Sequence, residues 1–342
     1  MPGIRNKSHN EMMNILNQFV AAQLGFAPVG EIRMLTNGTS NAHSYFRDRI
    51  NEANLHTSIY KAENAMVTQR NDILLVTPDS HAWKGDTDAG GEALTWDKQS
   101  THLVGMAPGD KAAYQRVRFS HAGFTMANFM TVSGASNLFK NLRWMHGAAT
   151  GGASDTTCIT VTGAGNVFDH CNFAGPMDAT QGASNNYIGV ALSGTSNYFK
   201  GCVFGTANAV DRNGTSCMLS LSGGGQMNIF EDCIFRSHST ANAFFIKWAS
   251  TETPGFAAAF LNCQFMNQKA AAEADMTYAI TDSSHANCML YFDNRCTFSG
   301  VTDIVALASE AKVDFGCAGA NADVTAINDR LNLGMAVNPN VS

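Results

Sequence analysis

The sequence is poor in charge and has no long apolar run. Asp, Glu, Lys and Arg make up 15% of its 342 residues, against roughly a quarter in an ordinary soluble domain. That deficit suits a chain whose flanks are covered by copies of itself or by partners. The net charge is −6, and phosphate binding needs a basic face, so nucleic acid is excluded as the main partner. No stretch of eighteen apolar residues occurs, so no membrane-spanning helix is expected. The N-terminus, MPGIRNKSHNEMM, lacks the basic-then-apolar layout of a signal peptide. A protein made in the cytoplasm is expected, leaving it only inside an assembly or after lysis.

Several chemical signatures are also missing. The nine cysteines contain no CxxC pair, which argues against a disulfide framework or a zinc ribbon. The ten histidines form no HExxH, and neither GxSxG nor a Walker loop occurs. Gly223-Gly224-Gly225 lacks the Lys and Ser/Thr of a phosphate loop. The acids of Lys84-Gly85-Asp86-Thr87-Asp88-Ala89-Gly90-Gly91-Glu92 miss the spacing of a Ca²⁺ loop and read as a solvated turn. No metal or cofactor is expected, and no catalytic residue is assigned.

A repeat is present instead. NLFKNLRW (137–144), NVFDHCNF (166–173), NYFKGCVF (197–204), NIFEDCIF (228–235) and AAFLNCQF (258–265) align. The first aromatic falls at Phe139, Phe168, Phe199, Phe230 and Phe260, in steps of 29, 31, 31 and 30 residues. Leu142, Cys171, Cys202, Cys233 and Cys263 follow three residues later. Trp144, Phe173, Phe204, Phe235 and Phe265 come two further on. A weaker copy precedes, Tyr114, Val117 and Phe119. Another follows with one extra residue, Phe292, Cys296 and Phe298.

Before each copy stands a short alternating strand ending in Ser or Thr plus Gly: MTVSG (130–134), ITVTG (159–163), VALSG (190–194) and LSLSG (219–223). Asn137, Asn166 and Asn197 lie three residues after these glycines, with Gln226 expected in the same role. Gly and Asn there suit a corner needing positive φ or a side-chain-to-backbone bond. The period of two marks strands. Each repeat thus reads as strand, corner, strand and variable loop, with like residues stacked about 4.8 Å apart. Leucine-rich repeats are shorter and propeller blades longer. The Phe and Cys columns must point inward. Lys140, Asp169, Lys200 and Glu231, each just after the first aromatic, alternate in sign and are expected as an exposed ladder that fixes register.

Ser8-His9-Asn10-Glu11 is a capping-box pattern. Met12, Met13, Ile15, Leu16, Phe19, Val20 and Leu24 follow at helical spacing. This helix is expected either to cap the open end of the solenoid or to dock on a larger assembly. HTSIYKAENAMVTQRNDILLVTPDSHAW (56–83) reads as a helix running into a strand that starts at Asp72 and stops at Pro78. This stretch resembles the opening of pectin-lyase-like parallel β-helix proteins, although Asn71 and Asp79 replace that family's usual glycines. The resemblance covers about residues 55–300. It implies an all-β fold, a single-stranded right-handed parallel β-helix of about 30 residues per coil with a helical N-terminal cap. The expected divisions are 1–55, an N-terminal helix and arm; 56–300, the solenoid; and 301–342, a C-terminal cap or arm.

Enzymes of the resembled family use clustered acids or a Ca²⁺ site. Among Asp169, Glu231, Asp232 and Asp293, only Asp232 beside Glu231 stands as an acid candidate. His170 reads as a corner residue. The loops at 145–158, 174–189, 205–217 and 236–243 offer no aromatic platform apart from Tyr187. The sequence therefore points to a non-enzymatic structural protein of a phage particle. A capsid decoration or cement protein, or a head appendage, is expected, located in the virion. Phage β-helix proteins are usually homotrimers, so the implied partners are copies of itself and the major capsid protein or other virion proteins. The alternative is a tailspike-type receptor-binding protein, or a polysaccharide depolymerase or lyase, with a host glycan as partner.

Overall fold

The computed structural model describes residues 9–24, 30–90, 92–108, 117–121, 126–146, 156–175, 187–205, 216–222, 225–239, 243–248, 255–268, 275–282, 288–306 and 312–314. Three parallel sheets run along them, one of eleven strands (sheet A) and two of eight (sheets B and C). The chain visits A, B and C in turn. Leu138–Lys140, Arg143–Met145 and Thr157–Val161 make one coil; Val167–Asp169, Asn172–Ala174 and Ile188–Leu192 make the next. Equivalent residues meet in register, Phe139 with Phe168, Trp144 with Phe173 and Val161 with Leu192. Eight coils span Asp72 to Ala306, and Lys312–Asp314 opens a ninth on sheet A. The fold is an all-β parallel β-helix. It continues past the expected boundary at 300, because Val301–Ala306 and Lys312–Asp314 still pair with the preceding coil.

Two aromatic columns fill the interior. Phe139, Phe168, Phe199, Phe230, Phe260 and Phe292 stack with centroids 4.6–4.9 Å apart. Trp144, Phe173, Phe204, Phe235, Phe265 and Phe298 form the second column at 4.4–5.5 Å. Neighbouring rings of the two columns meet edge-on or tilted, as Phe168 does with Phe173 at 64°, the arrangement that ring quadrupoles favour. Cys171, Cys202, Cys233, Cys263 and Cys296 are buried free thiols beside the rings. Each Sγ–H donates to the carbonyl of the aromatic residue one coil earlier, from Cys171 to Phe139 at 3.2 Å and from Cys202 to Phe168 at 3.2 Å. Burial pushes the thiols of Cys202 and Cys233 well up, so they stay protonated.

The corners differ from expectation in four respects. First, the motif read as one strand is two. Its fifth residue (Asn141, His170, Gly201, Asp232 or Asn262) has φ of 53–59° and turns the chain from sheet A to sheet B. Second, Gly134, Gly163 and Gly194 are not at positive φ. A Cβ on Gly163 would lie 2.0 Å from the carbonyl oxygen of Gly134, and one on Gly194 equally near that of Gly163. Coils approach so closely there that no side chain fits. The positive φ falls two residues later, at Ser136, Gly165 and Ser196. Third, Asn228 rather than Gln226 continues the asparagine column, because that corner holds two extra residues. Fourth, Leu103 rather than Tyr114 lies in register with Phe139. The segment between Thr101–Gly105 and Arg118–Ser120 is long, so counting back from Phe119 overshoots; Tyr114 itself lies outside the described residues.

The asparagines form a buried ladder. Oδ1 of Asn137, Asn166, Asn197 and Asn228 accepts from the backbone N–H one coil earlier, of Thr101, Asn137, Asn166 and Asn197, at 2.8–3.0 Å. Nδ2 of Asn166 donates to Gly134 O and that of Asn228 to Gly194 O. Backbone groups that a sharp corner leaves unpaired are thereby satisfied.

Among the described residues three α-helices precede the coils: α1 (His9–Leu24), α2 (Asn41–Arg47) and α3 (Ile59–Asn64). The helical cap is present, but α3 closes the interior, placing Ile59 and Ala62 in the same core as Leu74 and Phe139. Helix α1 lies on the outer face of sheet A. Its Met12 and Leu16 are buried against Ile73, Leu75 and Val104, which alternate with the inward Leu74, Val76 and Leu103. Ser8 of the expected capping box lies outside the described residues. As expected, a strand runs Asp72–Val76. Buried Asp72 holds the turn before it, accepting from the N–H groups of Glu31 and Val67 at 2.8 Å and from Arg70 at 2.6 Å.

Candidate functional site

The outer row of sheet A and the neighbouring corner bring the most chemistry together. Strand alternation turns Phe139 and Phe168 inward, so Lys140 and Asp169 face outward. The left-handed corner then places His170 beside Asp169. Asn, Asp and His enter that backbone region more readily than most residues, which explains their recurrence at the position. Asp169 accepts from Lys140 Nζ at 2.5 Å and faces His170 Nδ1 at 2.5 Å. Burial works against its charge, but these two bonds outweigh it and hold the carboxyl below its usual range.

Beside the trio lies a depression of about 380 Å³ lined by Phe19 of α1, Met106, Ala107, Pro108, Lys140, Asn141 and His170. It offers an apolar wall and a polar wall, as small-ligand sites do. Sequence reasoning missed this cleft, because Phe19 and Met106 are remote in the chain from the repeat. Helical spacing did mark Phe19 as part of an apolar face.

The expected ladder is in register: Lys140 with Asp169, Asp169 with Lys200, and Lys200 with Glu231. Among the described residues only its first rung closes as an ion pair. Glu231 instead accepts from the Tyr198 hydroxyl, and burial together with Glu231 pushes that phenol up.

The acid candidates Asp232 and Glu231 are engaged by different partners. Asp232 sits at the corner and accepts from Asn262 Nδ2 at 2.6 Å. Asp293 accepts from Arg295 Nε at 2.7 Å and from the Asn262 N–H at 2.9 Å. In the 84–92 segment, Asp86 accepts from Thr95 N–H and Oγ1 at 2.8 Å. Asp88 pairs with Lys61 at 2.9 Å, and Glu92 accepts from the Thr87 hydroxyl. These acids hold a turn. Tyr187 is buried and stacks on His146 at 5.7 Å, so it offers no sugar platform. Most of the variable loops, with Gly223 and Gly224, lie outside the described residues. Among the described residues no His, Cys, Asp and Glu cluster could hold a metal ion, and no helix is long and apolar enough to cross a membrane.

No protein-family model matches this sequence, and no curated protein matches it. Solved structures do match. The deglycosylated pectin methylesterase of Aspergillus niger is 14% identical over 87% of this chain and 89% of its own, with a TM-score of 0.52. Pectate lyase Pel9A is 12% identical over 86% of this chain and 73% of its own, with a TM-score of 0.53. ORF18 of Geobacillus virus E2 is 10% identical over 75% of this chain and 57% of its own, with a TM-score of 0.44. The chain therefore has the pectin-lyase-like parallel β-helix fold. At this identity the likeness extends to fold and not to activity.

Proposed function

We propose that this chain is a non-enzymatic structural protein of a phage particle, a capsid decoration or cement protein or a head appendage, working as a homotrimer. One observation carries the reading. The polar residues that recur on the coils are engaged in holding coil to coil: Asn137 to Asn228 in the ladder, Lys140 with Asp169, and Asp232 with Asn262. The low charge content supports surfaces covered by partners. Mass spectrometry and electron microscopy of purified particles test the proposal, with the protein expected as a stoichiometric component on the shell. An active monomer that cleaves a bacterial polysaccharide overturns it.

A second reading, a glycan-binding or glycan-cleaving protein, draws on the cleft beside Lys140 and His170. The pectin methylesterase and pectate lyase of the same fold act on polysaccharide. Glycan-array binding abolished by Phe19→Ala together with His170→Ala would favour this reading over the first.

A further inference from the structure

Glu63 stands apart from the charges that tie coils together. It lies on α3, the helix that closes the interior, next to the core residue Ala62. Its side chain is only 4% exposed, and its Oε1 accepts no hydrogen bond. Its one cationic partner among the described residues, Lys98 Nζ, forms an ion pair with it at 3.6 Å, longer than a good hydrogen bond. Asp97 and Asp86 add repulsion. The other nearby charges are occupied elsewhere, for Lys61 and Lys84 both turn to Asp88 at 2.9 and 3.6 Å.

A buried carboxylate with a single long ion pair is costly, and a neutral carboxyl in the same place costs less. The backbone across the contact is constrained. The Lys98 carbonyl oxygen lies 2.0 Å from where a Gly134 Cβ would stand, so the residue that faces Glu63 belongs to the first rung of the glycine corner.

We propose that Glu63 is a proton-operated latch on α3: protonated, it lets the helix seat firmly over the first coil, and ionised, it loosens that plug. Burial pushes the carboxyl up to about 7; Lys98 opposes the rise, and Asp97 and Asp86 add to it. The folded chain thus holds this proton more tightly than the unfolded chain, whose carboxyl titrates near 4.5. The stabilisation is complete below about 4.5 and is lost as pH rises through about 7. Opening of α3 should become about tenfold easier between pH 6 and pH 8.

Hydrogen-exchange protection factors on the full-length protein test this, read at Ala62, Ala65 and Met66, whose N–H groups bond to Ser58, Lys61 and Glu63. Protection is expected to fall about tenfold from pH 6 to 8, while Phe199 in the central coils keeps its value. Glu63→Gln should abolish the fall and match the low-pH wild type. Equal protection at both pH values, or a Glu63→Gln variant that loses protection like the wild type, overturns the latch. Should that variant fail to fold, carbon NMR of the wild-type Glu63 carboxyl decides: a midpoint near 7 supports the proposal, and one below 5 overturns it.

Discussion

Gly163 occupies a position where nothing larger fits. With a carbonyl oxygen 2.0 Å from any added Cβ, Gly163→Ala must push two coils apart. The expected loss is on the order of 2 kcal/mol or more, read from the urea midpoint. Asn166 is as constrained, since it accepts from Asn137 N–H and donates to Gly134 O in a site without water access. Asn166→Ala should lower stability by about 1–3 kcal/mol by leaving those groups unpaired. Buried His102 accepts from Leu138 N–H on Nδ1 at 3.2 Å, which requires the neutral ring. Burial pulls His102 down to about 4. Its contribution is therefore whole above about 6.5 and is lost as pH falls through about 4. The stability difference between wild type and His102→Asn should shrink by on the order of 2 kcal/mol between pH 7.5 and 4.5.

At the scale of the strand and corner, the aromatic columns dominate. Phe199 is stacked on Phe168 and Phe230 at 4.7 and 4.8 Å. Phe199→Ala should cost about 3–5 kcal/mol, measured by calorimetry. On the outer face, Lys200 stands in register between Asp169 and Glu231. Lys200→Glu should destabilise more than Lys200→Ala by about 0.5 kcal/mol for each neighbouring acid; equal effects would refute a role in register.

The columns, the strands before the corners and the Asp72 turn were legible in the sequence, because a residue that stacks on its own kind must recur at the coil period. The A-to-B corner was legible only at His170, which reads as a corner residue. Asn141, Gly201, Asp232 and Asn262 share its readiness for the left-handed region, but four residue types fill the position, so no single one recurs to mark it in the other coils. The depression by His170 was equally hidden, since a cleft made by Phe19 and Met106 depends on where α1 lies.

The whole molecule is a stack in which each coil touches mainly its two neighbours, so stability is close to a sum of repeated interfaces. The ends are then the weak points, and α3 matters because it shields the first interface. The outer face of sheet A is covered by α1 over the first coils and presents the charged row beyond them. Labelling by a thiol reagent should report this organisation. Cys202 and Cys233, fully buried in the central coils, should stay unmodified in the native protein and react only as global unfolding proceeds.

The alternating row has a consequence for how such a gene can change its length. The coils of Phe168, Phe199 and Phe230 offer the same Phe, Cys and corner geometry, so in-frame loss or duplication of one of them would leave the interior matched. The outer row would not forgive it. Removing the coil of Asp169 sets Lys140 beside Lys200, whereas removing the coils of both Asp169 and Lys200 sets Lys140 beside Glu231. Charge gives the stack a parity that the core lacks, and in this stretch the unit that heredity can add or delete without penalty is the pair of coils.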